Sequence, residues 1–273
     1  MFYEYGDGKL HYEMIGEGKP VLMLHGMTCD LNMMKGCMEP IFTGDTLEKY
    51  QRIYVDLPGM GQSVFPLDCA SADRILEVLE AFIRDTVQGD FLLAGESYGG
   101  YLARGILSKL CDRIAGMLLL CPVAIPERSQ RTVPETKVKF WDEQFLDSLS
   151  SEERRGFFGY AVVANKETYR RYQQEIQPGI ALADPVFAER LEENYAFTWD
   201  VDARIRELGC TQPVQFICGR QDDCVGYQDL WNLMEDYERS AFSVVDMAGH
   251  NLQIEQPEMF GALVRNWLNM AGE

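Results

Sequence analysis

The segment Gly95-Glu96-Ser97-Tyr98-Gly99 decides the fold of this chain. It follows an apolar run at residues 91–94 that is short enough to be a buried strand, and it leads into a helical pattern at residues 101–107. Glycines on both sides of a serine remove the Cβ atoms that would clash in a sharp strand-to-helix turn. The helix also directs its free N–H groups toward any anion above the serine. The segment therefore predicts a nucleophilic serine, although glycine and serine are also common in turns without chemistry.

The pattern outward from this turn predicts a parallel sheet. Further apolar runs are typical of strands buried on both faces, and helical stripes separate them. An alternating stretch at residues 10–15 predicts one more, partly exposed strand. The alternation of strand and helix indicates an α/β fold. The apolar runs lie at residues 21–24, 52–55, 114–120, 214–219 and 242–245, and the helical stripes at residues 71–87, 228–237 and 257–270.

The interval from residue 126 to residue 208 has a different character. Apolar strand patterns are absent from it, and helix start signals recur: a capping box at residues 150–153, Asn165, and the pair Asp184-Pro185. It is rich in aromatic residues, and residues 122–208 carry 16 acidic against 12 basic residues, a net charge of −4. We predict a core domain from residues 1–125 and 209–273, with a helical cap at residues 126–208.

Composition excludes several classes of function. A formal net charge of −18 over 273 residues argues against nucleic acid or an anionic membrane as a partner. The chain lacks an 18-residue apolar run and begins without a signal-peptide pattern. Its eight cysteines show no C-x-x-C spacing and are expected to be reduced thiols of a cytoplasmic protein. The three histidines lack the spacing of metal ligands, so no metal is expected.

Several motifs at predicted strand ends together resemble the α/β-hydrolase fold superfamily. They are His25-Gly26, the loop from Asp56 to Ser63, Gly95–Gly99, Gly219–Asp222 and Gly249-His250. The resemblance covers nearly the whole chain and implies a mostly parallel sheet flanked by helices, with a helical cap inserted after the sixth strand. It also implies the chain order nucleophile, acid, histidine.

On this resemblance, Ser97, Asp222 and His250 are the candidate catalytic residues. His250 follows the last strand and could reach the serine as general base. His25 is expected to shape a loop, and His11 to be a surface or edge residue of the first strand. Asp222 is the preferred partner of His250, with Asp223 as its rival.

Two further candidates concern the anion that a serine attack would create. The backbone N–H groups of Met27 and Tyr98 are the expected oxyanion donors. Glu96 is more readily a structural hydrogen-bonding residue than a catalytic one. Asp246, close to His250 in sequence, is a weak third acid. The glycines between Asp56 and Ser63 lack the pattern of a dinucleotide site, and a supporting loop is the better interpretation.

The resemblance implies a cofactor-free serine hydrolase that cleaves a small, uncharged carboxylic ester or related acyl bond, with a small-molecule acyl substrate as its partner. Serine at the turn, in place of aspartate, argues against relatives that open epoxides or remove halide. Two alternatives stay open. One is an aminopeptidase or amidase of the proline iminopeptidase type, in which Glu143, Glu152 or Glu153 would bind an ammonium group. The other is a ligand receptor or interaction protein with little turnover.

Overall fold

In a computed structural model, residues 1–135 and 140–272 are described. Eight of their strands form one sheet, and two very short strands form a separate parallel pair. In chain order the strands are β1 Phe2–Tyr5, β2 Gly8–Ile15, β3 Lys19–Leu24, β4 Tyr50–Val55, β5 Phe91–Glu96, β6 Ile114–Leu120, β7 Phe140–Trp141, β8 Val163–Ala164, β9 Val214–Gly219 and β10 Ser240–Val245.

The large sheet has the order β1-β2-β4-β3-β5-β6-β9-β10. Strands β1 and β2 pair antiparallel, as do β2 and β4, and all other neighbours are parallel. Strands β3, β5 and β9 are almost completely buried, which explains their continuous apolar runs. The prediction of a mostly parallel sheet is therefore confirmed. The antiparallel β1–β2 pair at the edge was not predicted.

Helices pack against the strands and flank the sheet. Helix α3 illustrates the cause: Ser71 caps its N-terminus, and seven of its residues are buried on one stripe against the sheet. Each large apolar side chain buried in this way contributes about 1.5–3 kcal/mol. The helices are α1 Leu31–Met38, α2 Asp45–Lys49, α3 Ala72–Thr86, α4 Ser97–Leu110, α5 Glu143–Asp147, α6 Ser151–Phe158, α7 Lys166–Glu175, α8 Gln177–Leu182, α9 Pro185–Glu193, α10 Val201–Leu208, α11 Gln228–Met234, α12 Leu252–Glu255 and α13 Pro257–Met270.

The interval 126–208 is mainly helical, as the sequence indicates, but its parts pack differently. Helices α5 to α7 share a small core of their own, to which Met33 and Ile254 also contribute. Helix α10 instead packs on α4, where Asp202 pairs with the buried Arg104. Strands β7 and β8 lie in this interval and were not predicted. The domain boundaries stay a prediction, and residues 136–139 and 273 lie outside the described residues.

One cysteine pair differs from the expectation of reduced thiols. Cys111, after α4, and Cys210, before β9, form a disulfide with a Cα–Cα distance of 6.4 Å across a sequence separation of 99. The prediction of eight free thiols is therefore wrong for this pair, and the cysteines no longer argue for a reducing compartment. Within residues 1–135 and 140–272, no helix combines the length and apolar character that crossing a bilayer requires.

Candidate active site

Ser97 lies at the turn between β5 and α4, in a backbone conformation that is rare for a residue with a side chain. Its φ is +51°, in the left-handed region. A Cβ on Gly95 would lie 2.4 Å from the Gly99 carbonyl oxygen, and one on Gly99 would lie 2.4 Å from the Leu24 carbonyl oxygen. Both positions therefore require glycine. The packing holds the strained turn in place and projects the Ser97 side chain from the carboxyl end of the sheet.

Loops after two other strands bring His250 and Asp222 to Ser97. Nε2 of His250 lies 2.9 Å from Ser97 Oγ, and Nδ1 lies 2.9 Å from Asp222 Oδ2. Asp222 follows β9 and is completely buried, and its other oxygen accepts N–H bonds from Cys224 and Val225. Because Asp222 receives Nδ1–H, the neutral imidazole presents an Nε2 lone pair to the serine hydroxyl.

The rival acids do not contact this histidine. Asp223 is exposed, and exposed Asp246 accepts a hydrogen bond from the Gln221 side chain at 2.7 Å. Of the three candidates, only Asp222 lies behind the imidazole of His250.

The other two histidines have different partners. His11 is buried in β2, and its Nδ1 lies 2.8 Å from Asp56 Oδ2. The expectation of a surface residue in the first strand is wrong, because β1 covers this edge and Asp56 satisfies the ring. Nδ1 of His25 lies 2.7 Å from the Gly26 carbonyl oxygen, and Nε2 of His25 accepts the Leu57 N–H at 3.0 Å. It thereby joins the two loops at the rim of the site.

The expected oxyanion residues flank Ser97. Tyr98 follows it in α4. Met27 follows Gly26, whose backbone approaches Ser97 so closely that a Cβ added to Gly26 would lie 3.1 Å from the serine Cβ. The Tyr98 side chain is completely buried, with its ring centroid 4.4 Å from that of Tyr195. This aromatic pair places a residue of the predicted cap interval beside the turn.

Two carboxyl groups, not one, adjoin His250. Glu96 is 1% exposed, and its Oε1 lies 3.3 Å from His250 Nε2. Burial raises the pKa of Glu96 to about 8, against the lowering effect of His250 and of a Gly26 backbone hydrogen bond. Burial alone would lower the pKa of His250, but Asp222, Cys224 and Glu96 raise it well above its ordinary value.

Glu255 is a site residue that the sequence reasoning missed. Its Oε1 accepts the N–H groups of Val162 and Val163, and its Oε2 accepts that of Gly249, at 2.6 Å for Gly249. One carboxylate therefore joins strand β8 of the cap interval to the residue before His250. Burial raises the pKa of Glu255 to about 7 from 4.5, although the three N–H bonds lower it. Its sequence neighbours, Ile254 and Gln256, gave no signal of these contacts.

A second polar contact fixes the same junction. Arg171 of α7 forms a buried ion pair with Glu175, and its Nη1 donates to the Gln253 carbonyl at 2.6 Å. Gln253 lies in α12, three residues after His250. The segment 249–253, which carries His250 and is called the histidine loop, is thus held by the cap interval at both of its ends. A groove of about 900 Å³ between α1, α7 and α13 lies nearby, but neither Ser97 nor His250 lines it.

Among the described residues, Cys121, Asp222 and His250 place three potential metal-ligand atoms within 4.8 Å of one another. Asp222 and His250 already satisfy each other, and burial raises the pKa of the Cys121 thiol well above its ordinary value. A thiol must ionise to bind a metal well. These three side chains are therefore better suited to orienting His250 than to binding a metal.

The profile of the alpha/beta hydrolase fold family matches residues 19–257, and the chain belongs to that family. An alpha/beta superfamily hydrolase from Oenococcus oeni PSU-1 superimposes with a TM-score of 0.87 at 32% identity, covering 97% of each chain.

Curated relatives agree with this assignment. An abhydrolase domain-containing protein of Caenorhabditis elegans, abhd-5.2, is 26% identical over 90% of this chain, which spans 58% of that relative's length. A pimeloyl-[acyl-carrier protein] methyl ester esterase of Nitrosomonas europaea is 25% identical over 92% of this chain and 96% of its own. The protein is therefore a hydrolase-fold protein with esterase-type relatives.

Proposed function

We propose that this protein is a cofactor-free serine hydrolase that cleaves small, uncharged carboxylic esters through an acyl-enzyme on Ser97. The observation that carries the proposal is the hydrogen-bonded series Ser97 Oγ–His250 Nε2 and His250 Nδ1–Asp222 Oδ2, each 2.9 Å long. Ser97 itself lies at a strand-to-helix turn, and its strained φ directs the hydroxyl toward His250. This geometry has the parts of a nucleophile, its base and the orienting acid.

In the proposed reaction, His250 removes the Ser97 hydroxyl proton as Oγ attacks the ester carbonyl. The Met27 and Tyr98 N–H groups stabilise the oxyanion. Protonated His250 then gives its proton to the leaving alcohol, which departs and leaves the acyl group on Ser97. A water molecule, deprotonated by His250, releases the acid and restores the serine.

Packing around the serine supports a small substrate. Ser97 is 7% exposed, and the ring of Tyr195, from the predicted cap interval, packs on the buried ring of Tyr98 next to it. An enclosed apolar site favours short acyl or aryl groups over long chains or polymers. The cap carboxylates suggested for an ammonium substrate, Glu143 and Glu152, are exposed on α5 and α6. Glu153 is exposed as well and accepts bonds from Ser150 at the helix cap. No observation therefore favours the aminopeptidase alternative.

Active-site labelling tests the proposal. A fluorophosphonate probe should label the protein once, Ser97→Ala should abolish labelling and hydrolysis of short aryl esters, and the exposed-site control Ser148→Ala should change neither. Aminoacyl amides and long-chain esters run beside the short esters should be cleaved more slowly. Labelling at another serine, or faster cleavage of the amides, would refute the proposal in favour of a different nucleophile or substrate class.

A further inference from the structure

The nitrogen that must take the serine proton has two neighbours. Ser97 Oγ lies 2.9 Å from His250 Nε2, and Glu96 Oε1 lies 3.3 Å from the same atom. Nε2 carries either a lone pair or a proton. It can therefore form a good hydrogen bond with only one of these two neighbours at a time. The serine hydroxyl suits a lone pair, whereas a carboxylate suits an N–H donor.

The Glu96 carboxyl group is enclosed by protein and has almost no access to solvent. Its side chain is 2% exposed, and its other oxygen occupies the space above Gly26. A Cβ on Gly26 would lie 2.2 Å from Glu96 Oε2, so glycine at that position makes the room for the carboxyl group. A hydrogen bond from the Gly26 backbone holds it there. The carboxyl group is built into the site.

We propose that Glu96 is a positioning residue that shares one proton with Nε2 of His250, so that the site becomes a competent base only when this proton leaves. With the proton present, the pair is either a carboxylate facing imidazolium or a carboxylic acid facing neutral imidazole. Both arrangements occupy the Nε2 lone pair and compete with the serine hydroxyl. The two groups titrate as one coupled unit.

When the shared proton is lost, Glu96 becomes a carboxylate beside a neutral imidazole. The free Nε2 lone pair then accepts from Ser97, and the Ser97 O–H bond breaks as an Nε2–H bond and an Oγ–carbon bond form. The carbonyl π electrons move to the oxyanion. The imidazolium so formed faces the Asp222 carboxylate at Nδ1 and the Glu96 carboxylate at Nε2. Glu96 therefore strengthens the base and moves its working range to higher pH.

The other groups around the pair do not replace this function. Asp222 faces Nδ1, and Cys224 adjoins the ring from the loop after β9. Cys121 contributes a thiol from the end of β6 whose pKa burial raises well above its ordinary value. Cys29 lies near Glu96, and its thiol pKa is likewise raised by burial. Burial therefore keeps the Cys121 and Cys29 thiols protonated across the range in which the pair titrates.

The kinetic test rests on the proposed function and uses the pH dependence of kcat/KM for a short aryl ester. For the wild type, the acidic limb should lie above the ordinary range of histidine. Glu96→Gln, which cannot ionise, should move that limb down by about one to three pH units, as expected when a charge within a few ångström is removed. A residue that only supports the fold would change the plateau and leave the limb in place, and that result would overturn the proposal.

A second measurement does not depend on catalytic activity and follows the wild-type protein itself. The chain has three histidines, so the ring signals of the wild type can be followed by NMR across pH, with His250 identified by its absence in His250→Asn. The His250 signal should titrate above its ordinary range and show two coupled steps. A single step in the ordinary range would refute proton sharing. If the NMR result holds and no ester is cleaved, proton sharing stands and the proposed esterase function fails.

Discussion

Replacing Glu255 by glutamine should remove a large part of the pH dependence of folding stability. In the folded protein, burial raises the pKa of Glu255 to about 7 from 4.5. The folded state therefore holds this proton more tightly than the unfolded chain, and stability falls as pH rises from 4.5 to about 7. At about 1.4 kcal/mol per pKa unit, ionisation of Glu255 lowers the stability of the folded state by roughly 2–3 kcal/mol between pH 5 and pH 8.

A glutamine at this position has no proton to lose. The difference in free energy of unfolding, variant minus wild type, should therefore become more positive by about 2–3 kcal/mol between pH 5 and pH 8. Urea unfolding at several pH values measures it. Other titrating groups cancel in the difference, and Glu189→Gln, exposed on α9, serves as the control. A difference that is independent of pH, or that moves toward the wild type, would refute the reasoning.

Activity should move in the opposite direction. Glu255 accepts three backbone N–H groups, and an amide can present its oxygen on only one side. The Gly249 N–H, directly before His250, is the bond most readily lost, since Oε1 serves two donors. Loss of one such bond is expected to lower kcat/KM about tenfold at pH 8. Unchanged kcat/KM in a stabilised variant would show that Glu255 does not position the histidine loop.

Three other changes test separate parts of the structure. Asp222→Asn should lower kcat by about 10⁴, whereas Asp223→Asn should leave it within about threefold; the reverse order in steady-state kinetics would identify the wrong acid. Reducing the Cys111–Cys210 disulfide, or Cys210→Ser, should lower the free energy of unfolding by up to about 4–5 kcal/mol, measured by urea titration, with labelling of Ser97 retained. Replacing residues 140–183 by a glycine-rich linker should raise KM for short esters and reduce the preference over long ones; unchanged selectivity would contradict an enclosed site.

Sequence reasoning succeeded where the signal is local. A buried parallel strand is a continuous apolar run, and the turn at Ser97 needs glycine on both sides because backbone oxygens lie 2.4 Å from where a Cβ would be. These features can be read from a few consecutive residues. The α/β fold and the candidate positions at strand ends follow from them.

Long-range pairings gave no such signal. The antiparallel edge that buries His11, the disulfide between residues 99 apart, and the contact of Glu255 with strand β8 each depend on segments that meet only in the folded chain. Glu96 lay within the motif, yet its contact with His250 depends on a loop more than 150 residues later. Pattern and propensity describe neighbours in sequence, and these contacts are between neighbours in space.

The buried acids and the histidine impose opposing requirements on the same site. The folded state raises the pKa of Glu96, of Glu255 and of His250, so each holds its proton more tightly in the folded than in the unfolded chain. Loss of each proton therefore lowers stability as pH rises. The proposed reaction, in contrast, needs a neutral His250 and a carboxylate at Glu255. The same deprotonations that weaken the fold make the base competent, so activity should rise with pH over the range in which stability falls. The cap interval takes part in this opposition between stability and activity, because the single carboxylate of Glu255 accepts hydrogen bonds from both β8 and the histidine loop.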